Sequence, residues 1–142
     1  MIEHVQRIGK HTARVGEHED TLELTLRGDL APDEANGLVD FIAARFAGRS
    51  YALFTGDMSG LGRIPAESRR VIFNAATRVP PIRGVAYYRA TFAARVMNEL
   101  AIRAYALATG TDIAVHFARD EAGARAWLVT RREQLAARPG AG

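Results

Sequence analysis

Along this 142-residue chain, stretches with apolar residues at every second position alternate with stretches in which they recur at the helical period. No other feature constrains the fold as much, because it demands strands interleaved with helices. Residues 10–18 (KHTARVGEH) and 21–27 (TLELTLR) read as two strands around a short polar turn, His18 to Asp20. In the second, Leu22, Leu24 and Leu26 face one way and Thr21, Glu23, Thr25 and Arg27 the other, the pattern of an antiparallel pair with one buried side. Gly28 ends it. Asp33 and Glu34 open a helix to about Ala47, acidic at the positive end of its dipole, with Leu38, Phe41, Ile42 and Phe46 on one face. Gly48 stops that helix.

Residues 50–56 (SYALFTG) are apolar enough for a strand buried on both faces. After the loop DMSGLGRI, Pro65 occupies the first turn of a second helix, where its missing N–H costs nothing. That helix is expected to reach Val79 and bury Ile72, Ala76 and Val79, before Pro80-Pro81 forbids helix. Residues 84–88 (GVAYY) form the next strand. The helix from Thr91 to Thr109 is the most periodic, with Ala93, Val96, Leu100, Ala104 and Leu107 as its expected core stripe and Gly110 as its stop. Residues 112–118 (DIAVHFA) form the last strand. A final helix starts near Asp120 and buries Ala124, Trp127, Leu128 and Leu135. The order β-β-α-β-α-β-α-β-α predicts one α/β domain over 1–142. Its five-stranded mixed sheet has an antiparallel first pair and parallel later strands, with four helices. The ends, 1–9 and 136–142, are expected to be flexible. The segment HVQRIGKHTARVG holds two copies of H-x-x-R-[IV]-G, which are too few for a repeat architecture and read as chance.

With hydrophobic residues at 48% and charged residues at 25%, the chain is neither a disordered tail, a collagen-like fibre nor a coiled coil. No apolar run approaches the ~18 residues of a membrane span, and the N-terminus lacks the apolar centre of a secretion signal. The absence of cysteine removes disulfides, thiolate nucleophiles and thiolate metal ligands, so a reducing cytoplasm is the expected compartment. A net charge of +3 hides an asymmetry. Residues 1–57 hold six basic and ten acidic side chains, whereas residues 58–110 hold eight arginines against Glu67 and Glu99 alone. Lys10 is the one lysine. An arginine-rich middle suits an anionic partner, and it also suits a genome rich in arginine codons.

The segment TGDMSGLGRIPAESRR resembles the signature of STAS domains, which include the anti-sigma-factor antagonists of sporulation and stress regulation. In those domains a buried strand ends in Asp-hydrophobic-Ser-Gly, and a short hydrophobic stretch leads to Asp-Ser-Ser-Gly at a helix start. Here Leu53 and Phe54 lie in the strand, followed by Asp57, Met58, Ser59, Gly60, Leu61 and Ile64. The ending HFARDEAGARAWL is similar to that of the SpoIIAA-like group, also described as STAS/SEC14-like. The second half of the signature departs, since its positions fall on Pro65, Ala66, Glu67 and Ser68. The serine phosphorylated in regulatory members is therefore Ala66 or, with a one-residue slip, Glu67, and neither accepts phosphate. A phosphoswitch of that kind would need Ser68 or Ser59 instead.

The resemblance implies a non-enzymatic interaction domain that docks a protein partner, of the kinase-like or anti-sigma kind, through the loop after the third strand and the next helix N-terminus. The residues expected at that surface are Asp57, Ser59, Gly60, Leu61, Arg63, Ile64, Glu67, Ser68, Arg69 and Arg70. A SEC14-like carrier of an apolar ligand or lipid is an alternative, with Ala93, Ala101, Ala104 and Ala108 leaving room beside the third helix. A self-associating subunit is another, through a second interface of Arg95, Ile102 and Tyr105 on the face opposite Leu100. No nucleic-acid motif is present. His4, His11 and His18 recur at spacing seven, which reads as exposed hairpin histidines rather than a zinc site; His116 is a core histidine or one facing a helix. There is no nucleophile elbow, P-loop or His-Glu-x-x-His. Asp57, at the carboxyl end of a central strand, has no base in sight. No catalytic residue, metal or cofactor is assigned.

Overall fold

A computed structural model describes residues 5–137. Its strands are β1 (Val5–Ile8), β2 (His11–Val15), β3 (Thr21–Thr25), β4 (Ala52–Asp57), β5 (Ile82–Tyr88) and β6 (Ala114–Ala118). The helices are α1 (Pro32–Arg45), α2 (Ala66–Asn74, continued by a 3-10 turn, Ala75–Thr77), α3 (Phe92–Thr109) and α4 (Glu121–Ala136). One sheet takes the strands in chain order: β1 and β2, and β2 and β3, pair antiparallel, whereas β3 to β6 are all parallel. The α/β class, the mixed sheet and the four helices match expectation.

The sixth strand corrects it. β1 lies in the stretch expected to be loose, paired with β2 across a two-residue turn, Gly9-Lys10, in which Gly9 takes φ 61°. Within the described residues, the two copies of H-x-x-R-[IV]-G supply the two strands of that hairpin, Val5–Ile8 and His11–Val15. Ile8 is buried, and Arg7 and Arg14, the equivalent arginines of the two copies, are both exposed. The repeat is therefore a strand pattern written twice. Residues 138–142, also expected to be flexible, lie outside the described residues, as does His4.

Crossovers that step the same way along a sheet put their helices on one face when all are right-handed. The packing agrees. Ile8, Ala13, Leu22, Leu24, Ala52, Val85 and Tyr87 meet Leu38, Phe41, Ile42 and Phe46 of α1 in the larger core, which also holds Ile102 of α3. Each fully buried aliphatic or aromatic side chain there contributes about 1.5–3 kcal/mol of transfer free energy. On the other face α4 lies alone against β4, β5 and β6, and Leu53 and Ala86 pack on Ala124, Leu128 and Leu135. His116 stacks on Trp127 of α4, ring centroids 5.7 Å apart, so it faces a helix. The same face of β1 and β2 is left open, with Val5, Arg7 and Arg14 exposed, whereas Glu23 of β3 pairs with Arg125 of α4.

The packing of α3 also differs from expectation. The inward residues are Ala94 and Tyr105, with Ile102 half-buried, while Leu100 is 63% and Leu107 86% exposed. Tyr105 meets Phe73 of α2 edge to face at 6.1 Å, and Arg95 lays its guanidinium over Phe117 of β6 at 5.4 Å. The short connections 89–91 and 110–113 tie both ends of α3 to neighbouring strands. The bulky Tyr105 side fits against α2, and the smaller apolar stripe is left outside. In α2, Ile72 is half-buried and only Ser68 is fully inside.

Candidate functional site

The stretch GDMSGLGRIP leaves a central parallel strand, β4, and enters α2 directly. Asp57 is the last residue of β4, 9% exposed. One oxygen accepts the Ser59 N–H at 2.9 Å, closing an Asx turn, and the other binds the Arg89 guanidinium. Burial pushes the Asp57 carboxyl up, but the hydrogen bonds from Ser59 and Arg89 and the Arg89 charge outweigh it and hold the group below the usual carboxylate range. Arg89 follows β5 at φ 55°, a left-handed conformation uncommon for a residue with a side chain. The neighbouring Tyr88 hydroxyl donates to Glu121 at 3.0 Å. Burial and the Glu121 carboxylate push it up to about 12, so it stays protonated at neutral pH.

Beyond the turn the loop is stitched to the segment that follows β3. Gly28 N–H donates to Gly60 O at 2.7 Å, Gly62 N–H to Gly28 O at 2.8 Å, and Leu30 N–H to Arg63 O at 2.9 Å. Arg63 N–H donates to the Asp29 carboxylate at 2.7 Å, and Met58 N–H to Tyr88 O at 2.9 Å. Met58 plugs the core beneath at 1% exposure. A Cβ on Gly62 would lie 2.4 Å from Asp29 Oδ1 and 2.8 Å from the Gly28 carbonyl carbon, so the close approach of the two loops requires glycine there. Asp29, Gly62 and Arg89 shape this site without having been singled out in the sequence, and Gly28, read there only as the end of a strand, joins them. Their role depends on contacts 32–34 residues apart in the chain.

The ten residues expected at the surface divide. Asp57 is buried in its ion pair. Ser68 is fully buried, its hydroxyl donating to Leu30 O at 2.7 Å, so it ties α2 to the β3–α1 connection and offers nothing to a partner or a kinase. Ser59, Gly60, Arg63, Glu67, Arg69 and Arg70 are exposed, and Leu61 and Ile64 are half-buried. Among the described residues, none of the Arg63, Arg69 and Arg70 guanidinium groups forms an ion pair. The first turn of α2 has no side-chain cap, since its N-cap is Pro65. Ala66 and Glu67 are both exposed in that turn.

Of the second expected interface only Arg95 is exposed. Tyr105 is buried on Phe73, Ile102 packs on the core, and Arg95 is laid over Phe117. The histidines also separate. His11, expected to be exposed, is 3% exposed: its Nδ1 accepts the Arg27 N–H at 3.0 Å, and its Nε2 lies 3.1 Å from Asp29 O and 3.4 Å from Glu34 Oε1. His18 is exposed. Among the described residues, no three His, Asp or Glu side chains come together to hold a metal ion. No described helix is long and apolar enough to cross a membrane. A cavity of about 10 Å³ lies among β1–β3 and α1, lined by Ile8, His11 and Leu38 among others. An open groove of about 460 Å³ lined by His18, Asp20, Arg49 and Tyr51 sits at the opposite end of β4 from Asp57. Compared with models of known families, with curated proteins and with solved structures, the chain matches none.

Proposed function

We propose that this protein is a non-enzymatic, STAS-like interaction domain that docks an acidic surface of a partner protein on the 58–65 loop and the first turns of α2. The observation that carries this reading is three exposed arginines, Arg63, Arg69 and Arg70, with no ion pair among the described residues, beside half-buried Leu61 and Ile64 of a loop stitched by main-chain hydrogen bonds. A stitched loop loses little conformational entropy on docking, and arginine beside aliphatic side chains is the composition of an interface centre. The positive end of the α2 dipole adds to the attraction for a carboxylate-rich partner. The non-catalytic part of the reading rests on Asp57, whose two oxygens are occupied by Ser59 and Arg89. With Ala66 and Glu67 at the phosphoacceptor position and Ser68 buried, docking of this kind is constitutive. By resemblance, the partner class is a kinase-like or anti-sigma regulator.

The test compares proteins captured by the immobilised wild-type chain and by Arg69→Glu/Arg70→Glu, with Arg7→Glu/Arg14→Glu, at two exposed positions of β1 and β2, as a charge-matched control. Partners held by the wild type and by the control should be lost from the double variant, the loss growing as ionic strength falls. Equal capture by all three would end the proposal.

A further inference from the structure

The outward stripe of α3 is the largest departure from ordinary burial in the molecule. Val96 is 42%, Leu100 63%, Leu107 86% and Phe92 81% exposed, and Ala93 and Ala104 lie in the same row. Soluble monomers seldom leave such a row open, and contiguous exposed apolar surface marks a contact. Ala93, Leu100 and Leu107 are seven residues apart, with Val96 and Ala104 between them, which is the seam spacing of a helix that packs on another helix.

We infer that α3 is the contact between two copies of this chain, packed antiparallel about a two-fold axis through Leu100. What points to a second copy rather than another partner is that the stripe complements itself in that one arrangement. Turned about Leu100, Ala93 of one copy lies opposite Leu107 of the other, and Val96 opposite Ala104, so each large side chain meets a small one. Leu100 meets its own counterpart. Glu99 and Arg103 border the stripe on one side, where they pair with each other along the helix at 3.1 Å. A two-fold axis perpendicular to the helices brings like flanks together, so Glu99 of each copy comes beside Arg103 of the other, offset by two residues or about 3 Å along the axis. A parallel two-fold pairing would instead set Glu99 and Arg103 of each copy beside the partner's other flank, where Met97, Ala101 and Ala108 offer no charge. The contact is isologous and closes at two copies.

It uses none of the residues of the 58–65 loop and stands or falls apart from the proposed docking function. The seam from Ala93 to Leu107 is about 21 Å long and is made by one helix from each copy, a small contact beside the two-sided interfaces of roughly 800 Å² per partner that hold stable dimers. The association is therefore reversible.

Sedimentation velocity over a concentration series reads it out. The wild-type mass should rise toward that of a dimer with concentration. Leu100→Glu, at an exposed position that leaves the fold and melting temperature intact, should remain monomeric. Glu99→Arg and Arg103→Glu should each weaken association at least ~5-fold, and the double exchange Glu99→Arg/Arg103→Glu should restore it. Because the chain has no cysteine, Leu100→Cys gives a second reading: mild oxidation should link two copies far faster than for the exposed control Glu17→Cys. A wild-type chain that stays monomeric up to ~1 mM would overturn the inference. So would a dimer that survives Leu100→Glu, a double exchange no better than the single ones, or equal oxidation of the two cysteine variants.

Discussion

At the scale of single residues, two glycines show how differently the same side chain can be required. Gly56 is the next-to-last residue of β4, and a Cβ there would lie 2.3 Å from the carbonyl oxygen of Leu24 in the adjacent strand. Gly28 has φ +75° with nothing within 4 Å of its missing Cβ. Alanine at position 28 should cost about 1–2 kcal/mol, the strain of the left-handed backbone alone. Alanine at position 56 should cost about 3 kcal/mol or more, because β3 and β4 must move apart. Urea denaturation of the two variants measures the difference. Ser68→Ala should cost about 1–3 kcal/mol by leaving the Leu30 carbonyl buried without its donor. A substitution there that costs nothing would contradict the strut role.

Asp20 makes a pH-dependent contribution at the same scale. It accepts two hydrogen bonds from Arg132, at 2.7 and 2.9 Å, with others from Tyr51 and Thr21. Burial pushes its carboxyl up, yet those hydrogen bonds and the Arg132 charge prevail and hold it below its ordinary value. A carboxyl depressed in the folded state adds stability that is complete above the unfolded pKa of about 3.9 and fades as pH falls through the folded value. Asp20→Asn should therefore lower the melting temperature at pH 7, and the variant and parent should converge as the pH approaches 2. Curves separated equally at both pH values would show that the group does not titrate in this way.

At the scale of elements, periodicity identified most segments but could not say what covers them. α1 buries the four residues its pattern named, Leu38, Phe41, Ile42 and Phe46. In α4, three of the four expected residues, Ala124, Leu128 and Leu135, are buried, and the fourth, Trp127, packs against them. α3 shows the converse. An amphipathic stripe states that an apolar row needs a partner, and it is silent on whether that partner is the chain's own sheet. β1 escaped notice because four residues are too few for an alternation to be persuasive, although the R-[IV]-G echo carried the strand pattern. Native-state hydrogen exchange checks this element: the β1–β2 ladder should slow exchange at 5–8 well beyond that of a free terminus.

For the whole molecule, the consequence of the fold is a division of surfaces. The carboxyl ends of the parallel strands carry the stitched loop and its arginines, the α3 face carries the apolar row, and α4 is clasped to the sheet by contacts far apart in sequence, Arg132 to Asp20 and Arg125 to Glu23. About 112 residues separate Asp20 from Arg132, so that clasp closes only when the whole sheet has formed.

The amino-acid sequence by itself determined the α/β class, the order of elements from β2 onward, the parallel run after an antiparallel start, and the strand–loop–helix at 52–74. All of these follow from local periodicity, turn residues and the rules of crossover, which act within one or two elements. Which of the loop's residues face solvent, the burial of Ser68 and His11, the pairing of Asp57 with Arg89, and the rotation of α3 were decided only in the tertiary structure. Each depends on atoms brought together from distant parts of the chain, and a helix can be turned about its axis without any change in its own sequence pattern.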